Sequence, residues 1–136
     1  MKPLSNSGPG VPSRPAFPVL VLAGWAVAAL LPPAARAQDV HKGQQVFAQC
    51  AACHASTASN GVGPGLQGVL GRKAGSAPGF RYSHAMKNFG KTWDAETLKA
   101  YIADPQAVVP GNHMPFSGLA DAGQRADLVA YLATLK

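Results

Sequence analysis

Two long stretches rich in glycine and proline, residues 56–79 and 106–118, take up much of this chain beyond residue 55. Loops of that length are uncommon in a compact domain unless they carry function. Only three segments between and around them show a helical period with a start signal. Asp39 is placed to cap a helix with Val40, Gly43, Val46, Phe47 and Cys50 on one side. Asp94 is placed to cap residues 95–104, with Leu98, Tyr101 and Ile102 as the apolar stripe and Pro105 as the stop. Asp121 and Gln124 form a capping-box pair ahead of Leu128, Val129, Leu132 and Leu135. No stretch reads as a strand and no internal repeat is visible, so the expected class is all-α. Three short helices bury too little apolar surface to hold such loops by themselves. Something else has to fill the centre, and a large flat cofactor would let the loops pack against it.

The start of the chain has a different character. Residues 1–37 contain Lys2, Arg14 and Arg36 and no acid, and residues 16–31 are an uncharged apolar run. That run holds Pro18 near its start, Pro32 and Pro33 end it, and Ala35-Arg36-Ala37 presents small residues at the two positions a signal peptidase reads. A basic start, an apolar middle and a small-residue cut site make a secretory signal, with cleavage expected after Ala37. The alternative is an uncleaved membrane anchor. The run is short for a bilayer, which needs about 20 residues, and Pro18 interrupts it. Export to the periplasm is expected on either reading, with residues 38–136 as the folded domain. That domain holds nine basic and six acidic residues, so much of the overall charge of +6 belongs to the leader and gives no reason to expect a nucleic-acid partner.

The chemistry sits at Cys50-Ala51-Ala52-Cys53-His54. Two thiols at this spacing can add across the two vinyl groups of a haem, and the adjacent imidazole then reaches the iron. A thioredoxin-like redox pair would need a βαβ setting, and a zinc site would need four ligands, but the chain has no second cysteine pair. The candidates for the opposite side of the iron are Met86, Met114, His41, His84 and His113. Met114 lies in Pro110-Gly111-Asn112-His113-Met114-Pro115-Phe116, where flanking prolines exclude a helix and stiffen the loop. Ligation by His54 and Met114 would fill both axial positions and raise the potential. A filled iron leaves no place for oxygen or peroxide, which points to outer-sphere electron transfer. Haem propionates need donors, and Arg72, Tyr82, Ser83, Trp93 and Asn112 offer them.

With these residues in place the sequence resembles the class I cytochromes c, the mitochondrial and periplasmic monohaem electron carriers. The likeness runs over essentially all of 39–136. It includes CAACH at 50–54, GPGLQGVLGRKAG at 63–75, APGFRYS at 77–83, TWDAETLKAYIADP at 92–105, PGNHMPFSGL at 110–119 and DLVAYL at 127–132. The resemblance implies an all-α fold wrapped on one covalent haem c, with His54 and Met114 as iron ligands. It implies that the Pro64 carbonyl orients the His54 ring and that Tyr101 hydrogen-bonds near the Met114 sulfur. It places Arg72, Tyr82 and Trp93 at the propionates, and Gly43, Phe47, Leu128 and Tyr131 at the contact between first and last helices. Two departures stand out. Met86 occupies a position where the family usually carries asparagine, and Gln106, His113, Ala120 and Asp121 stand where carriers often place lysines around the haem edge.

The expected function is that of an electron carrier and not an enzyme, a monomer moving one electron at a time. Its expected partners are redox proteins: a cytochrome bc-type complex as donor, and an oxidase, a reaction centre or another periplasmic enzyme as acceptor. Contact with the membrane surface would be transient and through those partners. Two other readings stand beside it, a haem peroxidase or sensor with a labile Met114, and a cytochrome subunit of a dehydrogenase complex.

Overall fold

The computed structural model describes residues 8, 10 and 37–136. The chain divides into two units, Met1–Pro33 and Ala34–Lys136. In the first, Gly8 and Gly10 are the described residues and both are exposed; the rest of the leader reading lies outside the described residues. The second unit is all-α: α1 (Val40–Phe47), α2 (His84–Asn88), α3 (Ala95–Ala103), α4 (Pro105–Val108) and α5 (Ala122–Leu132). Among the described residues the only extended pairing is an isolated antiparallel bridge between Lys73 and Thr92.

Each of the three main helices starts where a short acidic side chain can accept an orphan backbone N–H. Asp39 accepts from His41 and Lys42, Asp94 from Thr97, and Asp121 from Gln124. The carboxyls of Asp39 and Asp94 are held below the usual carboxylate range mainly by those same backbone bonds. Asp104 takes an extended conformation (φ −155°), so α3 stops at Ala103, one residue before the expected end. Asp104 then caps α4, accepting from the Ala107 N–H at 3.0 Å, and Pro105 supplies the first residue of that helix. Pro105 therefore opens a helix as well as closing one, because the missing N–H costs nothing at a first position. The loop expected at 106–118 gives up its first three residues to α4. The five-residue α2, capped by Ser83, is not among the expected helices. Val40, expected on the buried side of α1, is 39% exposed.

The first and last helices meet at Gly43. A Cβ there would overlap the carbonyl oxygen of Asp127 and stand 2.6 Å from its carbonyl carbon and 2.8 Å from Cβ of Tyr131. Phe47 packs on Tyr131 with ring centroids 5.3 Å apart. The buried Asp127 accepts the Asp39 N–H at 2.8 Å, tying the start of α1 to α5. Leu128, Val129 and Leu132 carry the inner stripe of α5 into a core with Leu98, Tyr101, Ile102, Trp93 and Met86. Leu135 lies past the end of α5 but still packs against this core.

Candidate haem site

His54 follows a short run of turns beyond α1. The Cys50 N–H donates to Phe47 at 2.8 Å, and the His54 N–H donates to Cys50 at 2.9 Å. This places both thiols and the imidazole within one compact coil. Cys50 and Cys53 are free and partly buried. Burial pushes the Cys50 thiol up, and the neighbouring Cys53 pushes it the same way.

The His54 ring is fixed from the backbone side. Its Nδ1 lies 2.8 Å from the Pro64 carbonyl oxygen. A carbonyl only accepts, so Nδ1 carries the proton and the Nε2 lone pair is left for a metal. The carbonyl is held in place because the Gly63 N–H donates to the Cys53 carbonyl at 2.8 Å. Gly63 itself lies against the imidazole: a Cβ there would sit 2.5 Å from Cε1 and 2.7 Å from Nδ1. Arg72 braces the same loop, donating to the Gly65 and Gln67 carbonyls at 2.9 and 3.2 Å. Those bonds use two of its five N–H groups.

Met114 is held by a different set of contacts. Asn112 is buried; its Oδ1 accepts the Met114 N–H at 2.8 Å, and its Nδ2 donates to Pro105 and Val109 at 2.8 and 2.9 Å. Both amide protons are thus spent on backbone carbonyls. This corrects the expectation that Asn112 would serve a propionate: its side chain shapes the methionine loop instead. The Tyr101 hydroxyl donates to Met114 Sδ at 3.8 Å. Burial, with a smaller contribution from Tyr82, pushes the Tyr101 phenol up to about 12, so it remains a donor across the neutral range. A thioether sulfur has two lone pairs, so one remains for a metal. Asn112→Ala would leave buried carbonyls without donors, at a cost of about 1–3 kcal/mol. We expect a corresponding loss of stability in denaturant titration, together with a weakened sulfur–iron absorbance in the oxidised protein.

Aromatic rings stack behind Tyr101, the partner of Met114. Trp93 is buried between Phe89 and Tyr101, with centroids 5.6 and 4.9 Å away. Tyr82 packs edge-on to Phe80 and accepts the Ala77 N–H at 3.3 Å, leaving its own proton to donate. Burial pushes its phenol up as well. Ser83 is buried and accepts the Met86 N–H at 3.1 Å, with its hydroxyl proton still available. Met86 sits in the core cluster at 7% exposure.

The donor set fits an iron porphyrin: two thiols one turn apart, an imidazole with Nε2 left open, and a thioether with a lone pair to give. Among the described residues no three His, Cys, Asp or Glu side chains gather as a metal cluster. An iron taking one imidazole and one sulfur here would draw its remaining ligands from the macrocycle. Sequence reasoning missed Gly63 as a functional residue. Its only signal was a glycine directly before the proline whose carbonyl holds the histidine.

The cytochrome c family profile matches residues 40–136. The chain is 56% identical over 100 residues to cytochrome c2 of Rhodomicrobium vannielii, covering 72% of this chain and 80% of that protein. It is 53% identical over 102 residues to cytochrome c2 of Rhodoblastus acidophilus, covering 74% and 95%. Among solved structures, cytochrome cH from Methylobacterium extorquens superposes with a TM-score of 0.69 at 47% identity, covering 71% of this chain and 98% of that one. Ferricytochrome c2 from Rhodopseudomonas palustris superposes with a TM-score of 0.68 at 43% identity, covering 73% and 100%. With the thiol pair, the oriented imidazole and the matching helix order, the chain belongs to the cytochrome c family, whose members carry covalent haem c and move electrons instead of catalysing a reaction.

Proposed function

We propose that the chain is an exported periplasmic carrier, taking one electron from a membrane reductase of the cytochrome bc type. It passes that electron to an oxidase, a reaction centre or another periplasmic redox enzyme. The observation that carries this reading is that both prospective iron donors are already held by hydrogen bonds, His54 by Pro64 and Met114 by Tyr101 and Asn112. Two positioned donors favour a carrier over a site that must admit a substrate to the metal.

Bound haem supplies the one-electron couple; the rest of the mechanism belongs to the chain. Cys50 and Cys53 would hold the group covalently, and His54 and Met114 would be the ligands the chain supplies to its iron. Arg72, Tyr82, Ser83 and Trp93 would donate to its propionates. Pro64 keeps the imidazole proton on Nδ1. Tyr101 keeps its own proton and holds the sulfur in one orientation. Trp93, Leu98 and Ile102 exclude water from that side of the fold. Groups fixed in this way need little rearrangement when the charge on the iron changes.

The test is a spectroelectrochemical titration of the purified holoprotein. We expect a single one-electron step and a sulfur–iron band in the oxidised form at neutral pH. Ready uptake of carbon monoxide at neutral pH would overturn the carrier reading.

The charge pattern adds a prediction about association. Residues 43–71 and 105–120, the segments that include the attachment motif and Met114, contain no Asp, Glu, Lys or Arg. Val62, at the tip of the loop folded onto the Cys53 carbonyl, is 76% exposed. The lysines of the folded domain lie outside these segments: Lys73 is one partner of the β-bridge and Lys91 adjoins the other, Thr92, Lys87 is in the last turn of α2, Lys136 is the last residue, Lys42 pairs with Asp39 at 3.3 Å, and Lys99 pairs with Glu96 at 2.6 Å. Electrostatic steering raises association rates by roughly 10- to 1,000-fold and fades with salt. For this chain we expect the rate with its membrane reductase to fall less than about threefold between low and physiological ionic strength. A steep decline would assign the docking face to the lysines.

A further inference from the structure

The peptide unit that orients His54 is gripped at its other edge as well. Its carbonyl belongs to Pro64 and accepts the His54 Nδ1 proton at 2.8 Å. Its N–H belongs to Gly65 and donates to Asn60 Oδ1 at 3.1 Å. A peptide is planar, so any rotation that moves one of these groups moves the other. Gly65 is buried with the Thr57 and Ala58 backbone close against it. A buried backbone N–H needs a partner, and Asn60 supplies it. Arg72 holds the next carbonyl, that of Gly65, at 2.9 Å and leaves the N–H to Asn60.

The same side chain reaches a second loop. Asn60 Nδ2 donates to the Pro78 carbonyl at 2.8 Å. Pro78 stands in a turn closed by the Phe80 N–H on the Ala77 carbonyl at 3.4 Å, with Gly79 at φ +73°. That turn leads into Tyr82, whose hydroxyl accepts the Ala77 N–H at 3.3 Å. One exposed asparagine thus joins the peptide that orients the imidazole to the segment that carries Tyr82 and Ser83.

We propose that Asn60 is a positioning residue for the imidazole ligand, acting on His54 through the Pro64–Gly65 peptide. The inference rests on the reading of His54 as an iron ligand. The imidazole N–H, the Pro64–Gly65 peptide, the Asn60 amide and the Pro78 carbonyl form one row, each donating to the next. Hydrogen bonds in such a row polarise one another. The row makes the Pro64 carbonyl a stronger acceptor, draws the Nδ1 proton toward it and leaves more electron density at Nε2. Density at that nitrogen favours the oxidised iron, so the row lowers the midpoint potential. A carboxamide suits the place because it offers an acceptor and a donor without a charge. Aspartate would keep the bond from Gly65 but turn a second oxygen toward the Pro78 carbonyl. Alanine would lose both bonds.

The experiment is hydrogen exchange followed by NMR on the reduced holoprotein, with a redox titration of the same samples, for the parent, Asn60→Ala and Asn60→Asp. In Asn60→Ala the Gly65 amide and the His54 Nδ1 proton are expected to exchange about fivefold faster or more, and the midpoint potential to rise. In Asn60→Asp those two protons are expected to stay slow, while the Phe80 amide in the released turn exchanges faster. An Asn60→Ala protein that loosens at residues 77–80 but keeps the parent's His54 proton and potential would make Asn60 a tie between loops only, and overturn the proposal. Equal exchange at Gly65 in the two variants would overturn it too. The sulfur–iron band of the parent tests the carrier reading separately, because no Asn60 variant enters that measurement.

Discussion

Gly43→Ala is expected to destabilise the folded holoprotein by about 3 kcal/mol or more, the upper range for overpacking a tight interface. Helix propensity pulls the other way, since alanine is better than glycine inside a helix by about 1 kcal/mol. The geometry decides which effect wins. The new methyl would meet the Asp127 carbonyl and the Tyr131 Cβ, both attached to the backbone of α5 and unable to swing aside as a flexible side chain could. The helices must separate, and separation strains the Asp39–Asp127 bond and the Phe47–Tyr131 contact together. Guanidinium unfolding should show a lower midpoint with an unchanged slope. Gln44→Ala, on the exposed side of the same helix, should change stability by less than about 0.5 kcal/mol. A Gly43→Ala protein as stable as the parent would mean that α1 and α5 do not cross at this residue.

What can be read from the sequence follows from how local each signal is. The caps at Asp39, Asp94 and Asp121 act within three residues, so α1, α3 and α5 are legible from side chains a few positions apart. The five residues of α2 are too few to show a period, and its only signal is the Ser83 cap. Pro105 reads as a stop because a proline ends the helix before it. The same residue fits the first position of the next helix, and only the turn at Asp104 shows that both hold. Asn112 misleads for a related reason. An amide can serve a carboxylate or two carbonyls equally well, and the choice depends on the loop bringing Pro105 and Val109 within reach. Nothing local links His54 to Met114, 60 positions away in sequence; the expectation that both serve one iron rests on the motif and on the proline-flanked methionine taken separately.

Gly63→Ala is the substitution expected to act most directly on the iron. The added Cβ would lie 2.5 to 2.9 Å from three atoms of the His54 ring. The residue cannot retreat, because its N–H is bonded to Cys53 and the next carbonyl along the chain is the one that holds His54. The ring is the part that can move, and turning it away from Pro64 gives up the hydrogen bond that aims Nε2. Losing a partly buried hydrogen bond of this kind costs about 1–3 kcal/mol, which corresponds to a rise of about 5- to 150-fold in the population of detached histidine. The thioether links do not depend on His54, so the protein should stay coloured while its ligation fails. We expect a shifted midpoint potential, a high-spin component in the absorption spectrum and uptake of carbon monoxide at neutral pH. Gly61→Ala is the control two residues away: a Cβ there meets only the Cys53 carbonyl oxygen, at an ordinary 3.6 Å, and should leave all three readouts unchanged. If the Gly63→Ala protein kept the parent's spectrum, the imidazole would have to be oriented by something other than the Cys53–Gly63–Pro64 backbone.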